Sequence, residues 1–270
     1  MNKDTLRQLV NVIALVGALI VNGLANALPL NGKQTGEISD SFAVFFVPAG
    51  YVFAIWGIIY IGLIAFGIYQ ALPSQRENPR LRSLGYWFAL SCLANGIWIF
   101  LWHYELFPLT LVVMLILLVS LIVIYQRLRI GQAPVSAVER WAVNVPFSVY
   151  LGWITVATIA NVTDLLEYWG WNGFGISGPV WAVIMLAVAS AVAYLMAQTR
   201  RDVAYLLVLV WAFIGIAVKQ AGTPLVSISA WVATALVVGC VALARLARPS
   251  GGGFARRQAA GPVPHCGFSG

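Results

Sequence analysis

"VPAGYVFAIWGIIY", Val47 to Tyr60, opens a hydrophobic segment in an unusual way. Pro48 and Gly50 come first, and rings follow at Tyr51, Phe53, Trp56 and Tyr60. A helix that only faces lipid needs no more than Leu, Ile and Val. The proline suits a first helical turn, where its missing N–H costs nothing. Trp56 and Tyr60, four residues apart, share one helical face. The stretch therefore predicts a helix that begins near Pro48 and turns its rings toward other helices.

The rest of the chain names the solvent. Of 270 residues, 61% are hydrophobic and 9% charged, where a soluble domain carries about 25% charged residues. That much apolar sequence requires lipid. Backbone groups in lipid must be bonded internally, which allows helices or a closed barrel. The apolar runs are about 20 residues long, the length of a helical span, and not alternating strands of about 10. The expected class is an all-α polytopic integral membrane protein with about eight transmembrane helices. The spans read as Val10–Leu28, Pro48–Ala71, Leu84–His103, Phe107–Tyr125, Trp141–Asn161, Pro179–Gln198, Val203–Val218 and Val226–Ala244. Short linkers make sequential helices antiparallel neighbours.

Basic residues orient the chain. With the N-terminus in the cytoplasm, the inner segments hold Lys3, Arg7, Arg76, Arg80, Arg82, Arg127, Arg129, Arg140, Arg200, Arg201, Arg245, Arg248, Arg256 and Arg257, leaving only Lys33 and Lys219 of the 16 outside. This follows the positive-inside rule and places both termini in the cytoplasm. The net charge of +7 reflects topology and anionic lipid. No nucleic-acid partner is expected, because the basic residues are dispersed among loops. A competing reading cleaves a signal peptide at Ala25-Asn26-Ala27 and leaves seven spans. Against it, the apolar stretch exceeds a signal core, and Asn11, Asn22 and Asn26 fall near one face, as helix–helix contacts do. The tail from Arg248, rich in Gly, Pro and Ala, predicts disorder. Its His265 and Cys266 do not make a metal site. Cys92 and Cys240 lie in spans as small hydrophobes.

Catalytic constellations are missing. All nine carboxylates read as loop or span-end residues, and no Lys or Arg falls in mid-span, which argues against an ion-coupled pump. No phosphate loop is present. His103 and Glu105 read as an interfacial pair rather than an acid–base couple. The chain is expected not to be an enzyme, and no cofactor is expected.

Aromatic patterning remains. The 11 tryptophans include Trp87, Trp102, Trp169, Trp171 and Trp181 at span ends, as an interfacial belt requires. Trp56, Trp98 and Trp153 lie deeper, each on a stripe: Trp56 with Tyr60; Asn95, Trp98 and Trp102; Tyr150, Trp153, Ala157 and Asn161. Such rings beside amides suit either a packed bundle core or a pocket for a flat apolar ligand with polar edges.

At these residues the sequence resembles the TspO/MBR family, the translocator proteins or tryptophan-rich sensory proteins. That family enters its second helix through Pro-Pro-x-Trp-Val-Phe-Gly-x-x-Trp-x-x-x-Tyr, matched here by Pro48, Tyr51, Phe53, Trp56 and Tyr60. "CLANGIW" supplies Asn95 and Trp98 of a third-helix motif. "YLGWITVATIAN" matches the fifth helix with Tyr150, Leu151, Trp153, Ala157, Thr158 and Asn161. The departures are Ala49 for the second proline, Tyr51 for the following Trp, one residue fewer between Phe53 and Trp56, Val149 for the proline before Tyr150, and no basic residue in 164–178 for a cholesterol motif.

The resemblance implies a five-helix region over residues 1–165, with three additional helices over 166–247 and a tail over 248–270. It also implies an intramembrane pocket for a porphyrin (tetrapyrrole) or sterol-like ligand. The ligand-binding residues would be Phe53, Trp56, Tyr60, Asn95, Trp98, Tyr150, Trp153, Ala157 and Asn161, with Gly152 and Ala157 leaving room for the ligand. The expected partners are that ligand, membrane lipid and a second copy of the chain as a homodimer. The expected location is the bacterial inner (plasma) membrane. A transporter using Gly57, Gly62 and Gly67 for bending, a scaffold, and an enzyme acting on a tetrapyrrole are the alternative readings.

Overall fold

The computed structural model describes residues 2–28 and 30–246; the tail from Arg248, expected to be disordered, lies outside them. Eight long helices carry the fold: α1 (Lys3–Ala27), α2 (Ile55–Ala71), α3 (Trp87–His103), α4 (Phe107–Arg127), α5 (Val145–Tyr168), α6 (Gly178–Thr199), α7 (Val203–Lys219) and α8 (Pro224–Leu246). Among the described residues every regular element is helical. Each long helix overlaps one expected span. Six helical segments have the length and apolarity to cross a membrane, while Trp87–His103 and Val203–Lys219 are shorter. At 17 residues each they run about 26 Å at 1.5 Å per residue. The protein is a polytopic, all-helical membrane protein.

Packing closes the first five helices into a ring. α1 touches α2 and α3, α3 touches α4, α4 touches α5, and α5 returns to α2. α7 lies against α5 from outside, α8 against α7, and α6 against α8. On α2 the exposed large side chains are Ile58, Ile61, Ile64 and Ile68, the aliphatic face that lipid asks for. Its rings turn the other way, which resolves the mixed character of the opening stretch.

Local sequence sets the ends. Asn2 caps α1 by accepting the Asp4 N–H. Asp202 caps α7 by accepting the N–H groups of Ala204 and Tyr205, and its other oxygen accepts from Tyr125 and Ser148. α5 is entered through a π turn at Arg140–Asn144, beside Pro146, which has no N–H to continue the helical ladder. Pro146 also packs on Gly62, where an added Cβ would lie 3.1 Å away. A Cβ at Gly67 would lie 2.5 Å from Leu15. Both glycines thus serve close helix packing rather than the bending expected of a transporter.

The segment before α2 is a 3-10 turn, Gly50–Ala54. It docks on α7. The Ala49 N–H donates to the Gly215 carbonyl at 3.1 Å, the Trp211 indole N–H donates to the Val52 carbonyl at 3.0 Å, and Tyr51 meets Trp211 edge-on at 5.5 Å. A proline at position 49 could not donate that bond. Two departures from the family entry motif, Ala49 and Tyr51, are therefore the residues that receive α7.

Candidate ligand-binding site

The aromatic stripes converge inside the ring. Trp56 stacks on Tyr60 at 5.5 Å and stands edge-on to Tyr150 at 6.1 Å and Trp153 at 6.3 Å. Phe53 is edge-on to Trp153 at 5.7 Å. A polar chain ties three helices together: the Tyr60 hydroxyl donates to Asn22 Oδ1 at 2.7 Å, and Asn22 Nδ2 donates to Asn95 Oδ1 at 2.6 Å. Asn22 is thus helix–helix glue. Asn11 is also buried, whereas Asn26 is exposed and bonds back to the Asn22 carbonyl.

Toward the end of the bundle remote from Lys3, the rings part around a cavity of about 50 Å³. Its walls come from the short helix Thr35–Asp40, the entry segment, α3 and α5. Of the expected site residues, Phe53, Trp98, Trp153, Ala157 and Asn161 line it. Trp56, Tyr60, Asn95 and Tyr150 form the packed layer beside it. Trp98 stacks on Trp102 at 5.1 Å, and its indole N–H lies 3.4 Å from Asn161 Oδ1, a long contact. Asn161 Nδ2 donates to Thr110 at 3.0 Å.

Two buried polar atoms on this wall have no partner: the Trp153 indole nitrogen and Asp164 Oδ1. Trp153 is 2% and Asp164 3% exposed. An unmet buried polar group costs about 1–3 kcal/mol. Most buried groups are satisfied, so each exception needs a reason. Asp164 corrects the placement of all carboxylates at span ends or in loops, because α5 continues past Asn161 to Tyr168. Its signal lay in the sequence: 164 continues the stripe 150, 153, 157 and 161 on one face.

Other expectations change. Gly152 does not make room for a ligand; an added Cβ there would lie 3.1 Å from Val208 and 3.2 Å from the Tyr205 carbonyl, so it admits α7 against α5. Trp102 is not a belt residue: it is 3% exposed, and its N–H donates to the Thr35 carbonyl. Trp171 and Trp181, also assigned to the belt, line a separate cavity of about 240 Å³ with Phe45 and Glu167, and the Trp181 N–H donates to the Gly173 carbonyl. Trp169 stays exposed, as a belt residue does. His103 and Glu105 have different partners. The His103 ring meets the Ile99 carbonyl and the Thr35 hydroxyl, while Glu105 pairs with Lys33. Among the described residues no three His, Cys, Asp or Glu side chains cluster as a metal site.

The family model described as TSPO-like protein matches residues 8–243. The chain belongs to the TSPO-like protein family. The match runs through the last three helices as well as the first five, so α6–α8 lie within the TSPO-like region of the chain. No curated protein and no solved structure matches the chain.

Proposed function

We infer that this TSPO-like membrane protein binds a small amphipathic molecule with a flat apolar body in the cavity between the Thr35–Asp40 helix, α3 and α5. It would act as a binding or sensory protein and not as an enzyme. One observation carries the reading: an unpaired donor on Trp153 and an unpaired acceptor on Asp164 share one apolar, ring-lined cavity. Pockets for small molecules have that make-up, mostly apolar walls with a few placed polar groups. Family membership supports a hydrophobic ligand, with porphyrin-like and sterol-like molecules the candidates.

The cavity volume refines the reading. About 50 Å³ holds a few water-sized groups, enough for a ligand's head. A whole tetrapyrrole or sterol needs the Thr35–Asp40 helix or the entry segment to move outward. The remaining expectations belong to the same proposal: a bacterial inner membrane, both termini in the cytoplasm, lipid contact and a homodimer. The basic-residue split supports the orientation.

The test is a fluorescence titration of purified, monodisperse protein with protoporphyrin, haem and sterols. Saturable quenching by one of them, absent in protein-free micelles, is the expected result. No saturable response to any of the three, nor to an amphiphilic amine with a flat apolar body, would sink the reading.

A further inference from the structure

The two unpaired atoms differ in what they ask of a ligand. Trp153 offers an N–H and asks for an acceptor. Asp164 offers a carboxyl oxygen and asks for a donor, best a positively charged one, since a buried carboxylate is stable only when paired. No Lys or Arg lines the cavity. Lys219 is near enough to act on Asp164 through space, but its ammonium pairs with Asp40 at 2.5 Å, and Lys33 pairs with Glu105. Four rings, Phe53, Trp98, Trp102 and Trp153, share the wall with small and aliphatic side chains and with the uncharged polar Thr35, Ser39 and Asn161. Ring faces attract organic cations, tryptophan most strongly.

We propose that the cavity recognises the head of a cationic amphiphile, an ammonium whose N–H donates to Asp164 and whose charge rests against the tryptophan rings, while an acceptor further along the body, about three helical turns away, meets the Trp153 indole. This rests on the reading that the cavity is a ligand site, and it narrows the ligand class. A head carrying carboxylates, as a porphyrin does, would bring acceptors and a charge into a buried, apolar site and no donor for Asp164. A neutral sterol hydroxyl would satisfy one of the two atoms and leave the other unpaired. The feature is specific to the far end of the α5 stripe, three residues beyond the family's Asn161.

The experiment uses three probes with one flat body: 2-(2-naphthyl)ethylamine, 2-(2-naphthyl)ethanol and 2-naphthylacetate. Each is titrated against the full-length protein in phosphatidylcholine nanodiscs, with empty nanodiscs subtracted. The amine is expected to bind at least tenfold tighter than the acid, with the alcohol between them. Asp164→Asn, an isosteric change checked for monodispersity, is expected to weaken the amine about tenfold and shift the alcohol less than threefold. The wild-type ranking stands as a measurement of its own even where the variant fails to fold. Binding of the alcohol or the acid as tightly as the amine overturns the proposal while keeping the pocket. An unchanged amine affinity in folded Asp164→Asn overturns it as well. No saturable binding of any probe overturns the proposal and the pocket together.

Discussion

Trp153→Leu separates a binding ring from a packing ring by the signs of two effects. In the unliganded protein Trp153 makes two edge-on ring pairs, at 5.7 Å to Phe53 and 6.3 Å to Trp56. Each such pair is worth about 0.5–1.5 kcal/mol, so their loss costs about 1–3 kcal/mol. The indole N–H is buried without a partner, and its removal returns about 1–3 kcal/mol. Leu keeps an apolar chain in the space, which limits the cavity term. The terms oppose one another, so the empty protein should lose no more than about 2 kcal/mol. Binding has no such offset. A ligand stacked on the ring and bonded to its N–H loses both contacts, about 1–3 kcal/mol, or about 5- to 150-fold in dissociation constant. Stability is read by denaturant midpoint in mild detergent, and affinity by anisotropy of a fluorescent ligand, so the missing tryptophan does not alter the signal. Trp141→Leu is the control, because Trp141 is 70% exposed and lies in the π turn before α5, about three helical turns from Trp153. Equal affinity losses in the two variants would refute the reasoning. So would a large stability loss at Trp153 with unchanged affinity, which is the signature of a ring used only for packing.

Asp164→Leu should stabilise the empty protein by about 1–3 kcal/mol, because an unmet buried polar group is removed; the denaturant midpoint checks this. Ala49→Pro should leave its own backbone unstrained, since φ −61° and ψ 150° suit proline, yet it removes the N–H that Gly215 accepts. A loss of about 1–3 kcal/mol is expected, with faster proteolysis at the linker between α7 and α8. Gly152→Ala should lower stability by about 1–3 kcal/mol through overpacking against α7, with the ligand titration unchanged in the protein that remains folded. Single cysteines at positions 41 and 74, in a chain whose Cys92, Cys240 and Cys266 are alanine, should label from opposite sides of the membrane. Labelling from one side would reject the topology.

Hydropathy and basic flanks are enough to place the eight helices, because apolar run length and interfacial charge respond to the same membrane thickness. The site is legible only in part. A period of 3.6 puts Tyr150, Trp153, Ala157 and Asn161 on one face, and Asp164 is in phase with them. A carboxyl lowers local hydropathy, however, so the reading ends the fifth span at Asn161 while helical hydrogen bonding continues to Tyr168. Trp102 and Trp169 occupy equivalent places at the ends of apolar runs. Only a contact with Thr35, far away in the chain, buries the first, and no local pattern encodes it. Gly152 is ambiguous for the same reason: its neighbour is α7, more than 50 residues further on. The π turn before Pro146 is a response to the proline and to packing on Gly62, which hydropathy does not register.

The clamp between α7 and the entry turn has a mechanical consequence. Val47, Pro48 and Phe53 line the cavity, and the same short segment is fastened to α7 through Ala49 and Val52. An added Cβ at Gly215 would fall 2.2 Å from Val52, so the α7 backbone is a hard stop behind the turn. The roof of the pocket therefore hinges on the outer three-helix cluster. Any outward swing that admits a larger guest must stretch those two hydrogen bonds or carry α7 with it. Under the proposed binding role, the strain of admission would appear in the dissociation constant, and by reciprocity a guest in the pocket would bias where α7 rests by the same free energy. If the cavity takes a guest as proposed, the outer helices would act as a return spring on that swing, through Gly215 and Trp211.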